Sequence, residues 1–180
     1  MLQINVPAGE FWDEINECFI NSKPASLTLE HSLVSVSKWE SKWHKAFLSK
    51  DEKTDEQVMD YIKCMTLTQN VDPNVYMALT KENIDAINEY INNPYSATCI
   101  KDDPNSPRNK DVMTSEVIYY YMIALNIPFE CQKWHLNRLL TLIRVCNIKN
   151  APPKKMTQRQ LMARNAELNA ARRKMLNSKG

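Results

Sequence analysis

The stretch SLVSVSKWESKWHKAF, residues 32–47, decides how this chain folds. Its large side chains recur every three to four residues, the period of an amphipathic helix. Ser32 stands directly before the pattern and belongs to a residue type that caps helix N-termini. The sequence therefore predicts a helix that begins after Ser32, with an apolar face formed by Leu33, Val36, Trp39 (or Glu40), Trp43 and Phe47.

Upstream of this helix the apolar period is two. Leu2, Ile4 and Val6 alternate with polar residues until proline and glycine follow, which predicts a half-buried strand and a turn. Residues 11–20 fit either a short helix or a hairpin that turns near residues 13–16. The hairpin is favoured because an alternating strand follows at residues 25–30. A small antiparallel sheet is the expected result.

Downstream of residue 47, capping residues and prolines divide the chain into further helices. Thr54 and Gln57 have the spacing of a capping box, before an apolar face of Val58, Tyr61, Ile62 and Met65. Residues 72–79 predict a short helical turn, and Thr80 caps a helix that ends near residues 92–94. Residues 97–100 form a strand or nothing regular, and residues 102–107 must form a loop.

Two apolar helices are predicted next. Thr114 or Ser115 caps the first, residues 116–126, which is apolar nearly all round and should therefore lie at the centre of the core. The second covers residues 132–147, with an inward face of Leu136, Leu139, Leu140, Ile143 and Cys146. After two prolines, residues 157–176 are helix-prone but carry only a thin apolar stripe, so this helix is marginal without a partner.

These elements predict an α+β fold that is mainly α. It consists of a small N-terminal antiparallel β-sheet, a helical bundle and a basic C-terminal helix or tail. Residues 1–150 are expected to form a single folded domain, β-rich over 1–31 and helical over 32–150. Residues 151–180 are expected to form the basic, helix-prone tail.

Charge is divided unevenly along the chain. Residues 150–180 carry eight of the 23 basic residues and one of the 21 acidic residues, so a basic tail follows an acidic body. Three interpretations of the tail stay open: a solvated helix, docking onto a partner protein or another copy, and binding to a phosphate backbone. The tail has no aromatic residue, and the acidic body repels nucleic acid, which argues against a nucleic-acid partner.

Composition excludes most catalytic designs. Gly9 and Gly180 are the only glycines, and phosphate-binding loops, Rossmann turns and nucleophile elbows all require glycine. Cys131 and His135 share a helical face, yet no third orienting group accompanies them. The histidines are far apart and lack metal-ligand spacing. We expect no enzyme activity, no cofactor and no metal.

Cysteine usage and hydropathy indicate the compartment. The five cysteines are odd in number and widely spread, which fits free thiols in a reducing cytoplasm better than a disulfide framework. No apolar run reaches the length of a membrane span, and no signal segment is recognisable at the start. We expect a soluble, intracellular protein without a membrane partner.

Large apolar residues beside basic residues are the candidates for a partner surface. Trp39 and Trp43 are four residues apart, so they either pack in the core or anchor a partner. Tyr119, Tyr120 and Tyr121 point in different directions from one helix, so one or two of them should be buried and another should reach solvent. The predicted partner-binding residues are Trp39, Trp43, Trp134, Leu136, Arg138, Lys154, Lys155, Arg172 and Arg173.

Several segments resemble a family of small proteins from tailed bacteriophages. They are LEHSLVSVSKWE (29–40), DYIKCMT (60–66), TSEVIYY (114–120), NIPFECQKWHLNRLL (126–140), PPKKM (152–156) and LNAARR (168–173). Spanning essentially the whole chain, they are similar to the tail assembly chaperones of long-tailed phages.

This resemblance implies a non-enzymatic function in virion assembly. Such chaperones bind and solubilise the long helical tape measure protein and help to recruit subunits of the major tail protein. It also implies possible self-association, and a location in the cytoplasm of the host bacterium. The alternative from a different class is a phage structural or nucleic-acid-binding protein that uses the basic C-terminal tail.

Overall fold

The elements follow one another as an N-terminal β region and a helical region. The computed structural model describes residues 1–13, 17–100, 112–151 and 158–177. The strands are β1 (Leu2–Val6), β2 (Gly9–Asp13), β3 (Cys18–Ser22) and β4 (Ala25–Leu29). The α-helices are α1 (Leu33–Trp43), α2 (Asp55–Met65), α3 (Lys81–Asn92), α4 (Ser115–Ala124), α5 (Leu136–Asn150) and α6 (Gln158–Leu176). The first 3-10 helix is Pro73–Ala78 and the second is Phe129–Lys133. The predicted α+β, mainly α class is confirmed.

The four strands pair as two antiparallel ladders. β1 pairs with β4, and β2 pairs with β3 as the predicted hairpin, whose turn residues 14–16 lie outside the described residues. The strands described here therefore form two two-stranded sheets where one sheet was predicted. Gly9 begins β2, where a Cβ would lie 2.6 Å from the Phe11 ring and 3.2 Å from the Ala78 Cβ. The missing side chain lets the hairpin approach the first 3-10 helix.

Apolar and polar side chains alternate along β1 and β4, and the apolar ones are buried in the core. Ile4 and Val6 are buried on the same side as Leu27 and Leu29 of the paired strand, as the period of two predicts. These side chains join one cluster with the inner faces of the helices. Burying them is the main driving force for attaching so small a sheet to the helices.

Helix α1 is the centre of that cluster. Ser32 and Ser35 form a capping box at its start, and its inner residues Leu33, Val36 and Trp39 are buried. The helix ends at Trp43 because His44 takes a left-handed conformation, with φ of 52°. Phe47 therefore lies beyond the helix on which it was predicted. It still reaches the core, stacked on Tyr61 with ring centroids 4.0 Å apart.

The backbone of residues 28–31 connects the β region to two helices. Leu67 N–H donates to the Thr28 carbonyl at 2.8 Å, and Glu30 N–H donates to the Met65 carbonyl at 2.9 Å. The His31 carbonyl accepts from Leu136 N–H at the start of α5, at 2.7 Å. These bonds satisfy backbone groups that would otherwise be buried without partners.

Several predicted boundaries and faces need correction. Val58 is 40% exposed, because Gln57 and Asp60 occupy the inward side of α2 through polar contacts. The helix predicted from residue 132 is a 3-10 helix followed by α5, in which Leu140 and Cys146 are only half-buried. Residues 97–100 are irregular, and the loop predicted at residues 102–107 lies outside the described residues.

The chain divides into two units, Met1–Asn147 and Ile148–Gly180. The first contains the whole buried cluster, four strands and helices α1 to α4. The second contains α6, in which no residue is buried.

Candidate partner-binding surface

Helix α4 is held in place at its N-terminus by a buried carboxylate. Glu40 of α1 is 7% exposed, and its Oε2 accepts from Ser115 N–H at 2.7 Å. Its Oε1 accepts from Phe47 N–H at 2.8 Å. A negative charge at a helix N-terminus is favourable, because the unpaired N–H groups there carry partial positive charge. Glu40 therefore fixes both α4 and the loop after α1.

Only one face of α4 is buried. Its buried residues are Ser115, Ile118 and Met122, spaced three and four residues apart along one side of the helix. The prediction that α4 lies at the centre of the core is therefore wrong. Packing against α1 covers the inward face and leaves the opposite face in solvent.

The exposed face of α4 is apolar. Tyr120 is 66% exposed and Ile123 is 61% exposed, and Phe129 of the second 3-10 helix is 52% exposed. The half-buried Tyr119 of α4 lies beside Phe129, and the centroids of the two rings are 6.4 Å apart. We call Tyr119, Tyr120, Ile123 and Phe129 the α4 surface. The prediction that one of the three tyrosines reaches solvent is confirmed for Tyr120. The prediction that one or two of them are buried is wrong, because Tyr119 and Tyr121 are only half-buried.

Polar and packing contacts hold the α4 surface in a defined shape. The Tyr119 hydroxyl donates to Gln132 Oε1 at 2.9 Å, which ties α4 to the second 3-10 helix. Ile127 N–H donates to the Met122 carbonyl at 2.8 Å, closing the turn between the two helices. A surface that is ordered before binding loses less conformational entropy when a partner docks.

The charges beside the α4 surface include two acidic residues. Glu116 and Glu130 are exposed at the start of α4 and in the second 3-10 helix. Hydrogen bonds from its own backbone N–H and from Thr114 lower the pKa of Glu116. The carboxylate therefore stays charged at neutral pH, so this surface combines apolar side chains with a negative charge.

The two tryptophans of α1 occupy different environments. Trp39 is 1% exposed and donates through Nε1 to the Gln57 carbonyl at 2.8 Å, so it packs in the core and cannot contact a partner in this conformation. Trp43 is half-buried and donates to Asp60 Oδ2 at 2.9 Å. Lys42 pairs with the same carboxylate and lies 5.5 Å from the Trp43 ring. Burial acts to raise the pKa of Asp60, but the hydrogen bonds from Lys42 and Trp43 outweigh it and lower that pKa.

The partner-binding residues predicted around the start of α5 also differ in exposure. Leu136 is fully buried, so it supports the core and is not a contact residue. Trp134 is half-buried and Arg138 is exposed, with the guanidinium carbon 4.2 Å from the centre of the indole ring. This cation–π pair remains available to a partner. Of the partner-binding residues predicted on α1 and around the start of α5, Trp43, Trp134 and Arg138 are therefore the ones whose side chains reach solvent. Their contact with a partner stays a prediction.

The basic tail residues lie in the second unit. Arg172 and Arg173 are exposed on α6, whereas Lys154 and Lys155 lie outside the described residues. The large apolar side chains of α6 are exposed as well: Leu161, Met162, Leu168, Met175 and Leu176.

A second exposed aromatic feature lies on the hairpin. Trp12 of β2 is 53% exposed and stands opposite Phe19 of β3, which is 63% exposed. Their rings meet edge to face, with centroids 4.9 Å apart. Cross-strand aromatic pairs stabilise a hairpin, which gives this pair a structural explanation that the α4 surface lacks.

Two buried histidines, His31 and His135, are in contact in the interior. His31 and His135 have ring centroids 5.0 Å apart. His31 Nδ1 is hydrogen-bonded to the Tyr61 hydroxyl at 2.5 Å, and His135 Nε2 to the Tyr90 carbonyl at 3.0 Å. Burial and the neighbouring His135 lower the pKa of His31 to about 4, and burial lowers the pKa of His135. Both rings are therefore neutral at pH 7 and act in packing.

The exposed face of α4 was not predicted, because a helix that is apolar nearly all round is expected to be buried on every side. Large apolar side chains can nevertheless remain exposed on one face of such a helix. Glu116, Tyr120 and Ile123 follow each other at four and three residues, so they share one face that also carries a charge. That charge was the available signal that this face meets solvent.

The described part of the chain contains no group of three His, Cys, Asp or Glu side chains arranged to hold a metal ion. Within the same residues, no helix has both the length and the hydropathy needed to cross a bilayer. Comparison with protein families, curated proteins and solved structures finds no match to this chain.

Proposed function

We propose that this protein is a non-enzymatic tail assembly chaperone of a long-tailed bacteriophage, which binds helical segments of the tape measure protein through the α4 surface. In this proposal it acts in the cytoplasm of the host bacterium. It keeps the tape measure protein soluble and helps to recruit subunits of the major tail protein around it.

The observation that carries the proposal is the exposed apolar face of α4. Tyr120, Ile123 and Phe129 are each more than half exposed, although side chains of this size are usually buried. Contact between these apolar side chains and water is unfavourable, so a partner that covers them gains free energy of binding. Tyrosine and phenylalanine are also enriched where protein partners meet. The resemblance of segments 114–120 and 126–140 to the phage family falls on this same region.

A tape measure protein supplies a suitable ligand. It is long and largely helical, and before tail assembly its amphipathic segments have no tube around them. An amphipathic helix presents side chains at three- and four-residue spacing, which matches the spacing of Tyr120 and Ile123 on α4. Helix-on-helix docking would bury both sets of side chains.

Co-expression with the tape measure protein of the same phage tests the proposal. Wild-type chain should keep that protein in the soluble fraction, and the Tyr120→Ser, Ile123→Ser double variant should lose most of this effect. The matched control is Leu67→Ser with Met77→Ser, which removes two apolar side chains of similar exposure elsewhere on the surface.

Each outcome has a defined meaning. If the wild type leaves the tape measure protein insoluble, the proposed function is wrong. If only a Trp12→Ser, Phe19→Ser variant loses the effect, the function stands but the α4 surface does not. All variants are first checked for an unchanged unfolding midpoint.

A further inference from the structure

A cavity of about 190 Å³ lies where α1, α2 and the loop between them meet. The buried Trp39 and Gln57 form its inner wall, and the exposed Lys45, Asp51 and Glu52 stand around its opening. The residues that line it are 39, 45, 46, 49, 51–53 and 57. None of the residues of the α4 surface is among them, so the cavity is a separate feature of the first unit.

The loop that covers the cavity is held by contacts of its own. Phe47 N–H donates to Glu40 Oε1 at 2.8 Å, and Ser49 N–H donates to the Ala46 carbonyl at 3.2 Å. Lys53 Nζ lies 4.9 Å from the centre of the Phe47 ring. The walls of the cavity are therefore shaped before a ligand enters, which lowers the entropic cost of binding.

Gln57 gives the cavity a hydrogen-bond donor. Its Oε1 accepts from Thr54 N–H at 3.2 Å, as one half of the capping box of α2. Because the oxygen has this role, the other end of the carboxamide is the N–H₂ group, which can only donate. This group has no hydrogen-bond partner among the described residues, although Gln57 is only 3% exposed. Polar groups at such depth are normally hydrogen-bonded, so the N–H₂ group is matched to an oxygen of a ligand.

Charge and size restrict the class of ligand. Two basic residues, Lys45 and Lys53, and two acidic residues, Asp51 and Glu52, line the cavity. Equal numbers of opposite charges favour a ligand that carries both signs over a simple anion or cation. The volume is below the roughly 300–1,000 Å³ of pockets for drug-sized ligands, which excludes a nucleotide but suits a molecule of amino-acid size. Ala46 adds apolar surface.

We propose that this cavity binds a free α-amino acid with a small aliphatic side chain, in its zwitterionic form. The ligand carboxylate accepts from Gln57 Nε2 and is balanced by Lys45. The ligand ammonium group is balanced by Asp51 and Glu52, and the aliphatic side chain lies against Ala46. This site is independent of the proposed chaperone function and gives the chain a small-molecule ligand.

The test titrates the ¹⁵N-labelled full chain with L-leucine and follows two side-chain signals by NMR. The Gln57 N–H₂ signal and the Trp39 indole N–H signal should shift and saturate, because the indole donates to the Gln57 carbonyl. A dissociation constant in the millimolar range is expected for so small a ligand. N-acetylleucine lacks the positive charge and leucinamide lacks the negative charge, so each should bind about fivefold or more weakly than leucine.

Variants then assign the binding to this cavity. Gln57→Glu keeps an oxygen that accepts from Thr54 N–H, so the capping box and the fold are retained. It replaces the N–H₂ donor with a negative charge and should weaken leucine binding about tenfold or more. Lys45→Met should weaken binding about threefold or more. Lys50→Met is the matched control, because it removes the same charge from an exposed residue of the same loop that does not line the cavity.

Four results would overturn the inference. The first is the absence of saturating shifts up to the solubility limit of leucine. The second is equal binding of leucine and N-acetylleucine, because the site would then select an anion. The third is undiminished binding by a folded Gln57→Glu variant, and the fourth is equal weakening by Lys45→Met and Lys50→Met. None of these measurements involves the tape measure protein, so the proposed function is tested separately.

Discussion

Helices α4 and α6 both expose large apolar side chains, but their structural support differs. α4 has a buried face, with Ile118 and Met122 fully buried and its N-terminus bound by Glu40. α6 has no buried residue. An exposed apolar side chain on α4 is therefore held in a fixed position by the packing of its helix, whereas one on α6 lies on a helix that has no buried face. Large apolar side chains are therefore exposed both on a firmly packed helix and on one without a buried face.

The largest expected effect separates the two faces of α4. Met122→Ala should lower the free energy of unfolding by about 2–5 kcal/mol, because it opens a cavity in the core. Ile123→Ala, one residue away on the exposed face, should change it by no more than about 0.5 kcal/mol. Urea denaturation followed by circular dichroism measures both. Similar losses in the two variants would mean that Ile123 is not a surface residue.

Acid should destabilise the first unit through its buried histidines. The pKa of His31 is about 4 in the folded chain against 6.5 for the free side chain. The unfolded chain therefore binds more protons between these values, and stability falls as pH drops from 6.5 to 4. The loss is roughly 3 kcal/mol from His31, with a further contribution of the same sign from His135.

The matched variant for the acid effect is His31→Gln. It should be less stable at pH 7.5, because it disturbs the contact with Tyr61, but its stability should depend less steeply on pH between 6.5 and 4. Denaturant midpoints measured at several pH values give the two slopes. Parallel slopes for wild type and variant would show that His31 does not titrate in this way.

Removing the negative charge of Glu40 should cause the next largest loss of stability, because this side chain holds the N-terminus of α4. Glu40→Gln places an amide N–H₂ opposite one of the two backbone N–H groups that now donate to the carboxylate. This loss of a buried hydrogen bond should lower the free energy of unfolding by about 1–3 kcal/mol. Glu116→Gln, an exposed change in the first turn of α4, should cost no more than about 1 kcal/mol. If the two variants unfold at the same denaturant concentration, Glu40 does not anchor the helix.

The smallest effect belongs to α6. Asn165→Ala should raise the helical content of α6, since alanine favours the helix by about 0.7 kcal/mol more than asparagine. The free energy of unfolding of the first unit should stay the same. Carbon chemical shifts of α6 in the full chain report the change. An unchanged helical content would show that α6 is already stabilised by tertiary contacts.

Much of the fold could be predicted because local signals agree with tertiary packing. Thr54, Thr80 and Thr114 cap helices as their positions suggest, and each accepts a hydrogen bond from the backbone three residues on. The alternation in β1 and β4 predicted both strands and their buried side chains. The assembly of four strands into two ladders could not be predicted in this way, because strand pairing depends on contacts between residues distant in sequence.

The candidate site was harder to predict, since exposure is a property of tertiary packing. Trp39 and Trp43 look equivalent in the sequence, yet one is buried and the other is half-buried with its indole bound to Asp60. The position of α4 depends on a contact between Glu40 and Ser115, which are 75 residues apart. No local pattern encodes that contact, so the exposed face of α4 could not be assigned from periodicity alone.

Hydroxyl-radical footprinting of the chain, alone and in complex with the tape measure protein, measures whether the partner covers the α4 surface. If the partner binds there, oxidation of Tyr120 and Phe129 should fall severalfold in the complex, while oxidation of Trp12 and Phe19 on the hairpin should stay the same. Unchanged oxidation of Tyr120 and Phe129 in a stable complex would contradict the assignment of the α4 surface as the place where the partner binds.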